Sequence, residues 1–233
     1  MRVLLAFLLA SAVQAENPAE PAPRSKEYRW MSLATWKGKH EAFLKRAKEG
    51  NVDLLFLGDS ITEGWGGNAV WQKHYGSLNA ANFGIGGDTT QNVLWRIANG
   101  EVEGLAPKVV VVLIGTNNFG LNGDPVEGVA KGVAAVVASL RKKLPKSKVL
   151  LLAVFPRDAQ PKSDMRNRIA KLNGQIAALE DRKAVRFLDL GAKFLAPDGT
   201  LPKEMMPDAL HLSEKGYQVW AESMDPLLKE LMK

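Results

Sequence analysis

The chain has 233 residues, which is long enough for one α/β domain with a substantial core and short for two. Its hydrophobic fraction of 46% and charged fraction of 24% are ordinary for a soluble globular protein. Basic residues outnumber acidic ones by 6, but no run of them is interleaved with aromatic residues, so nucleic-acid binding is not expected. The chain has no cysteine, which excludes disulfides and thiol chemistry.

The N-terminus differs from the rest of the chain. Arg2 precedes an apolar run, Val3–Ala10, and small residues follow as far as Ala15. This pattern predicts a secretory signal peptide at residues 1–15, cut near Ala15, and a protein that is secreted or periplasmic. The run is too short to span a bilayer, so no stable membrane anchor is expected. Residues 16–26 contain three prolines and predict a flexible leader before a single domain at 27–233.

From there on, strand-like and helix-like segments alternate. Apolar spacing predicts helices at 28–50, 70–75, 89–98, 125–144 and 163–182, with a last helix that begins after Ser213. Short apolar runs predict strands at 52–57, 78–83, 109–114, 148–154 and 185–190. Alternation of this kind indicates an α/β fold in which a five-stranded parallel sheet carries helices on both faces.

A serine follows the first predicted strand, in Gly58-Asp59-Ser60. In open parallel sheets, ligands bind at the carboxyl ends of the strands, so Ser60 lies where a nucleophile would be useful. The segment is also typical of an ordinary turn, because Gly, Asp and Ser all favour turns. We interpret Asp59 as a turn residue.

A glycine-rich segment, Asn82–Asp88, follows the second strand, and its backbone N–H groups could face a ligand. A dinucleotide-binding loop would need glycine where Thr89 stands and would follow the first strand, so this alternative is not favoured. After the third strand, Asn117 could donate a side-chain hydrogen bond to a developing oxyanion.

Near the C-terminus, Asp208 precedes His211 by three residues. A carboxylate at this spacing can orient an imidazole, which could then act as a base towards Ser60. A histidine in a surface loop is the simpler alternative. No cluster of residues suggests a metal site, and neither a metal nor a cofactor is expected.

Taken together, these segments resemble the SGNH hydrolases, also called the GDSL esterase/lipase family. Within that family, the chain is most similar to the intracellular platelet-activating-factor acetylhydrolases. The resemblance runs from about Val52 to the C-terminus and is most specific in Asn82–Arg96. It implies a three-layer, flavodoxin-like fold. Members of this branch are cytosolic, so the predicted signal peptide departs from the pattern.

The resemblance also implies roles for individual residues. Ser60 would be the nucleophile, His211 the base, and Asp208 the carboxylate that orients it. The Ser60 N–H, the Gly87 N–H and the Asn117 side chain would form an oxyanion hole. The expected chemistry is acyl transfer through an acyl-enzyme, as in other serine hydrolases.

Four further residues are candidates for substrate contact. Ile61, Thr116 and Leu210 adjoin the expected catalytic positions, and their bulk favours a small acyl group such as acetyl. Trp65 lies in a glycine-rich loop after the nucleophile and could stack on a sugar. The alternative for all four is packing in the core.

The sequence therefore predicts an exported serine esterase that removes short acyl groups from a small-molecule or carbohydrate ester. A lysophospholipase or thioesterase of the same family is the first alternative. A non-catalytic carbohydrate-binding protein on this fold is the second. The oligomeric state stays open, with a homodimer among the alternatives.

Overall fold

The computed structural model describes residues 17–233, and its centre is a five-stranded sheet. The strands are β1 (Leu54–Gly58), β2 (Ala80–Gly84), β3 (Val109–Leu113), β4 (Lys148–Leu152) and β5 (Val185–Leu188). All neighbouring pairs are parallel, in the order β2-β1-β3-β4-β5. The predicted α/β fold with a five-stranded parallel sheet is confirmed.

Helices cover both faces of the sheet. They are α1 (Leu33–Glu49), α2 (Ser60–Glu63), α3 (Ala69–Tyr75), α4 (Thr90–Ala98), α5 (Val126–Lys143), α6 (Asp164–Ile176) and α7 (Glu214–Leu231). Leu55 and Leu57 of β1 pack into the layer that contains α1, α4, α5 and α6. Leu54 and Phe56 alternate with them and pack into the layer of α3 and α7. Strands covered on both faces become continuous apolar runs, which is why β1 and β3 were recognisable in the sequence.

The first helix begins later than predicted. Ser32 caps α1, because its side chain accepts a hydrogen bond from the Thr35 N–H at 3.0 Å. Before it, Tyr28 and Met31 exchange two backbone hydrogen bonds of 2.9 Å and form a tight turn instead of a helical one. This turn places residues 28–31 at the carboxyl edge of the sheet.

The segment predicted as a flexible leader instead packs against the domain over its described part, residues 17–26. The Thr90 hydroxyl donates to the Pro18 carbonyl at 2.8 Å, and the Asn92 side chain donates to the Ala22 carbonyl at 3.1 Å. The Arg24 side chain is only 3% exposed. A segment with few apolar residues cannot form a core of its own. Residues 17–26 are nevertheless ordered by hydrogen bonds from side chains of α4. The predicted signal peptide, 1–15, lies outside the described residues.

A buried network of charges links the segments near the carboxyl ends of β1 and β2. Arg96 pairs with Asp88 at 2.8 Å and with Glu101, and all three side chains are fully buried. Asp88 also pairs with Arg24 at 3.0 Å, and Glu101 contacts the His40 ring at 3.2 Å. Because each buried carboxylate contacts a guanidinium, no charge in the network is left uncompensated.

Within residues 17–233, no helix combines the length and the apolar character that a membrane crossing requires.

We expect Arg96→Met to lower the free energy of unfolding by about 3–5 kcal/mol, because Glu101 and Asp88 would lose a buried guanidinium. Arg186→Met is the matched control. Arg186 also contacts two glutamates, Glu180 and Glu230, but at the surface, where the loss should stay below about 1 kcal/mol. Chemical denaturation measures both values. Equal losses would show that the buried network contributes no more to stability than the surface ion pairs of Arg186.

Candidate active site

Ser60 is the first residue of α2 and follows β1 after a single intervening residue. That residue, Asp59, caps the helix, since its carboxylate accepts the Ile61 N–H at 3.0 Å. Gly58 allows the sharp turn from strand to helix: a Cβ there would lie 2.3 Å from the Leu113 carbonyl oxygen. The interpretation of Asp59 as a turn residue agrees with this geometry.

The structure brings Ser60, His211 and Asp208 together. The Ser60 Oγ lies 2.9 Å from the His211 Nε2, and the His211 Nδ1 lies 2.6 Å from the Asp208 Oδ2. The other Asp208 oxygen accepts the backbone N–H groups of Leu210 at 3.0 Å and His211 at 2.7 Å. Ala209 adopts a left-handed conformation, with φ of 59°, and this closes the turn between the two side chains.

The electrostatics of Asp208 favour its ionised form. Partial burial alone would raise the pKa of its carboxyl, but the hydrogen bonds from the His211 ring and from the two backbone N–H groups outweigh this and lower it. An ionised Asp208 holds a proton on the His211 Nδ1. The His211 Nε2 then presents a lone pair to the Ser60 hydroxyl.

The three expected oxyanion donors line one cavity with Ser60 and His211. Gly87 adopts a left-handed conformation, with φ of 76°. Asn117 donates one side-chain N–H to the Asp88 carbonyl at 3.0 Å, which leaves its second N–H for a ligand. Within residues 17–233, the backbone N–H groups of Ser60 and Gly87 have no hydrogen-bond acceptor in the protein.

The cavity measures about 600 Å³, which is within the range of small-molecule sites. Much of the cavity wall was not predicted from the sequence. The missed residues are Trp30, Met31, Thr35, Lys39, Glu63, Gly86, Gly120, Leu121 and Arg157. Five of them, Trp30, Met31, Thr35, Lys39 and Arg157, lie far in sequence from the motifs, and the first four fall in the segment predicted as the helix 28–50. Trp30, 57% exposed, is an unusually accessible aromatic side chain and marks the cavity rim.

Of the four candidates for substrate contact, only Leu210 lines the cavity. The prediction for Trp65 is wrong, because its ring is fully buried and packs 4.5 Å from the Tyr217 ring centroid. Ile61 and Thr116 are also buried and do not form the cavity wall. Proximity in sequence to a catalytic position does not determine which way a side chain points.

Comparison with known proteins gives the class of the molecule. A serine, an imidazole and a carboxylate joined in series at the edge of a parallel sheet are typical of serine hydrolases. The family model of the GDSL-like Lipase/Acylhydrolase family matches residues 56–219. The chain therefore belongs to this family and is a carboxylic ester hydrolase.

Individual relatives agree with this class. Platelet-activating factor acetylhydrolase IB subunit alpha1 of Bos taurus is 37% identical over 93% of this chain and 91% of its own length. A Streptococcus pneumonia structure, described as a platelet activating factor, is 25% identical with a TM-score of 0.69; the match covers 84% of this chain and 96% of that one. A GDSL-like lipase from Bacteroides thetaiotaomicron shares the fold at 19% identity, with a TM-score of 0.68 over 82% of this chain and 97% of that one.

These relatives contradict the prediction of a secreted or periplasmic protein. The matched relatives are platelet-activating factor acetylhydrolase IB subunits, which belong to the branch without a signal peptide that the sequence resemblance indicated. The prediction of export depended on a short apolar pattern at residues 1–15, which was interpreted independently of the domain that follows it.

We expect the pH dependence of stability to change in Asp59→Asn. Burial raises the pKa of Asp59 to about 7, whereas an aspartate in the unfolded chain titrates near ~3.9. The folded state therefore binds the proton more tightly, and the wild type loses unfolding free energy as the pH rises from about 4 to about 7. Asparagine keeps an acceptor for the Ile61 N–H but cannot ionise.

The measurement is the unfolding free energy of both proteins between pH 4 and pH 8. The wild type should lose stability relative to the variant as the pH rises. If the difference in unfolding free energy between the two proteins stays constant over this range, the pKa of Asp59 is not raised in the folded state.

Proposed function

We propose that this chain hydrolyses short-chain acyl esters, acetyl esters above all, with Ser60 as its nucleophile. The observation that carries the proposal is the series of hydrogen bonds from Ser60 through His211 to Asp208, which opens into a cavity lined by three candidate oxyanion donors. An acyl-transfer site needs these same parts: a nucleophile, an oriented base and donors for the oxyanion.

In the proposed mechanism, the His211 Nε2 takes the proton of the Ser60 hydroxyl while the Oγ attacks the ester carbonyl carbon. The tetrahedral oxyanion accepts hydrogen bonds from the N–H groups of Ser60 and Gly87 and from the Asn117 side chain. The imidazolium then protonates the alcohol oxygen, the C–O bond breaks, and an acyl-Ser60 ester remains. Water, deprotonated by His211, attacks this ester by the same path and releases the acid.

Two observations support a short acyl group. The relatives at 37% identity are named acetylhydrolases. Leu210 also occupies part of the cavity wall directly beside His211, which limits the space next to the reacting carbonyl. A cavity of about 600 Å³ is larger than an acetyl group requires, so the remaining space would receive the alcohol portion.

The prediction of a carbohydrate ester depended on export, which the relatives contradict, so nothing now favours a carbohydrate over another alcohol. A lysophospholipase or thioesterase remains the second candidate. Trp30, Met31, Leu121 and Leu210 give the cavity an apolar surface that could hold a longer acyl chain.

The first test is hydrolysis of 4-nitrophenyl esters from acetyl to decanoyl. We expect the highest kcat/KM at acetyl and a loss of kcat on the order of 10³-fold or more in Ser60→Ala. Ser163→Ala is the control, because Ser163 caps α6 and does not line the cavity, so its loss should affect stability and leave kcat unchanged. A maximum at long chains would favour the second candidate, and full activity in Ser60→Ala would refute the proposal.

We also expect Leu210→Ala to shift the chain-length preference. Removing this side chain enlarges the space beside His211, so the ratio of kcat/KM for hexanoyl over acetyl esters should rise about 3- to 10-fold. Leu195→Ala removes a partly buried leucine that lies outside this cavity and should leave the ratio unchanged. If Leu210→Ala lowered activity equally on all esters, Leu210 would not limit the acyl group.

A further inference from the structure

Gly86, the residue before the candidate oxyanion donor Gly87, is held by two opposite charges. Its backbone N–H donates to the Glu63 carboxylate at 2.6 Å. Its carbonyl oxygen accepts a hydrogen bond from the Arg24 guanidinium, also at 2.6 Å. Both bonds involve an ionised side chain, and such bonds are shorter and roughly twice as strong as neutral ones.

The carbonyl of Gly86 and the N–H of Gly87 belong to one planar peptide unit, so fixing the first also fixes the direction of the second. We propose that Arg24 and Glu63 form a charged clamp on Gly86 that aims the Gly87 N–H at the oxyanion and makes it a stronger donor. This inference rests on the proposed function. It makes Arg24 and Glu63 positioning residues, which act on the reaction through the Gly86–Gly87 peptide.

Polarisation gives the clamp a role beyond orientation. A cation bonded to a peptide carbonyl draws electron density away from the N–H of the same peptide, and hydrogen bonds in series strengthen one another in this way. The Gly86 carbonyl is already bonded to the Arg24 guanidinium before the reaction begins. The Gly87 N–H of the same peptide is therefore already polarised when negative charge develops on the oxyanion.

The clamp is preorganised by its own contacts. Arg24 also bonds the buried Asp88 carboxylate at 3.0 Å, and Glu63 bonds Lys39 of α1 at 2.6 Å. The Trp30 ring covers Gly87 so closely that a Cβ there would lie 2.4 Å from it. Neither clamp side chain has to be ordered when substrate binds.

A purely structural role for Arg24 makes a different prediction. Asp88 is already paired with Arg96 at 2.8 Å, so Arg24 could serve only to complete the charge balance of the network. In that case its loss would lower stability and the number of active molecules. The turnover of each active molecule would not change.

The test is Arg24→Gln, assayed on 4-nitrophenyl acetate with active sites counted by titration with a fluorophosphonate. We expect kcat per active site to fall about 10- to 100-fold, less than the 10²–10³-fold typical of losing an oxyanion donor outright. KM should stay within about twofold, because the effect belongs to the transition state. The affinity for a trifluoromethyl ketone, which forms a tetrahedral adduct, should fall in parallel with kcat/KM.

Arg141→Gln is the matched control. Arg141 likewise donates to backbone carbonyls, those of Pro145 and Ser147, but at the end of α5, so kcat per active site should equal that of the wild type. Glu63→Ala tests the other half of the clamp and covers the case in which Arg24→Gln does not fold. Because the Glu63 side chain is about a third exposed, we expect this variant to fold, with kcat reduced about 3- to 10-fold.

An unchanged kcat per active site in Arg24→Gln would overturn the inference, and so would an unchanged value in Glu63→Ala if Arg24→Gln did not fold. These failures differ from a failure of the proposed function. If the wild type is active, Ser60→Ala is inactive and the clamp variants keep full activity, only the inference about the clamp is refuted. Wild type without activity on any ester would remove the proposed function as well.

Discussion

The structure depends on one buried carboxylate, that of Asp88. Its side chain contacts the guanidinium groups of Arg96 and Arg24 and accepts the Trp36 indole N–H at 2.7 Å. Its backbone carbonyl accepts the Asn117 side chain. Burial raises the pKa of Asp88, while the two guanidinium groups and the indole N–H oppose this. Through its carboxylate and its backbone carbonyl, Asp88 ties together the N-terminal segment, α1, α4 and the loops after β2 and β3.

This arrangement also joins the loops of the candidate active site to the ends of two strands. Arg96 also donates to the carbonyls of Phe83 and Gly58, which lie at the carboxyl ends of β2 and β1. The strands thus bring Ser60, Gly87 and Asn117 to one edge of the sheet, and the buried network keeps the loops that carry them in register. Donors that are already oriented need no reorganisation when charge develops, which is the condition for effective electrostatic stabilisation.

The N-terminal segment belongs to the site as well as to the fold. Trp30 and Met31 form part of the cavity wall, and Arg24 reaches the peptide next to Gly87. The sheet and the motif residues define the family, whereas a segment such as this one adds residues to the cavity wall that a substrate would contact.

The sequence by itself determined the sheet, the alternation of helices and strands, and the family, because burial on both faces and the residues at strand ends leave local patterns. Only the tertiary structure decided that Trp65 is buried, that Leu210 but not Ile61 faces the cavity, and that residues 17–26 pack on α4. The contact between Arg24 and Gly86 joins residues 62 positions apart. A local sequence pattern indicates which faces of a segment are buried and where the chain turns. The direction of a side chain and the identity of its distant partner are set by packing between elements. No short window of sequence contains both ends of such a contact.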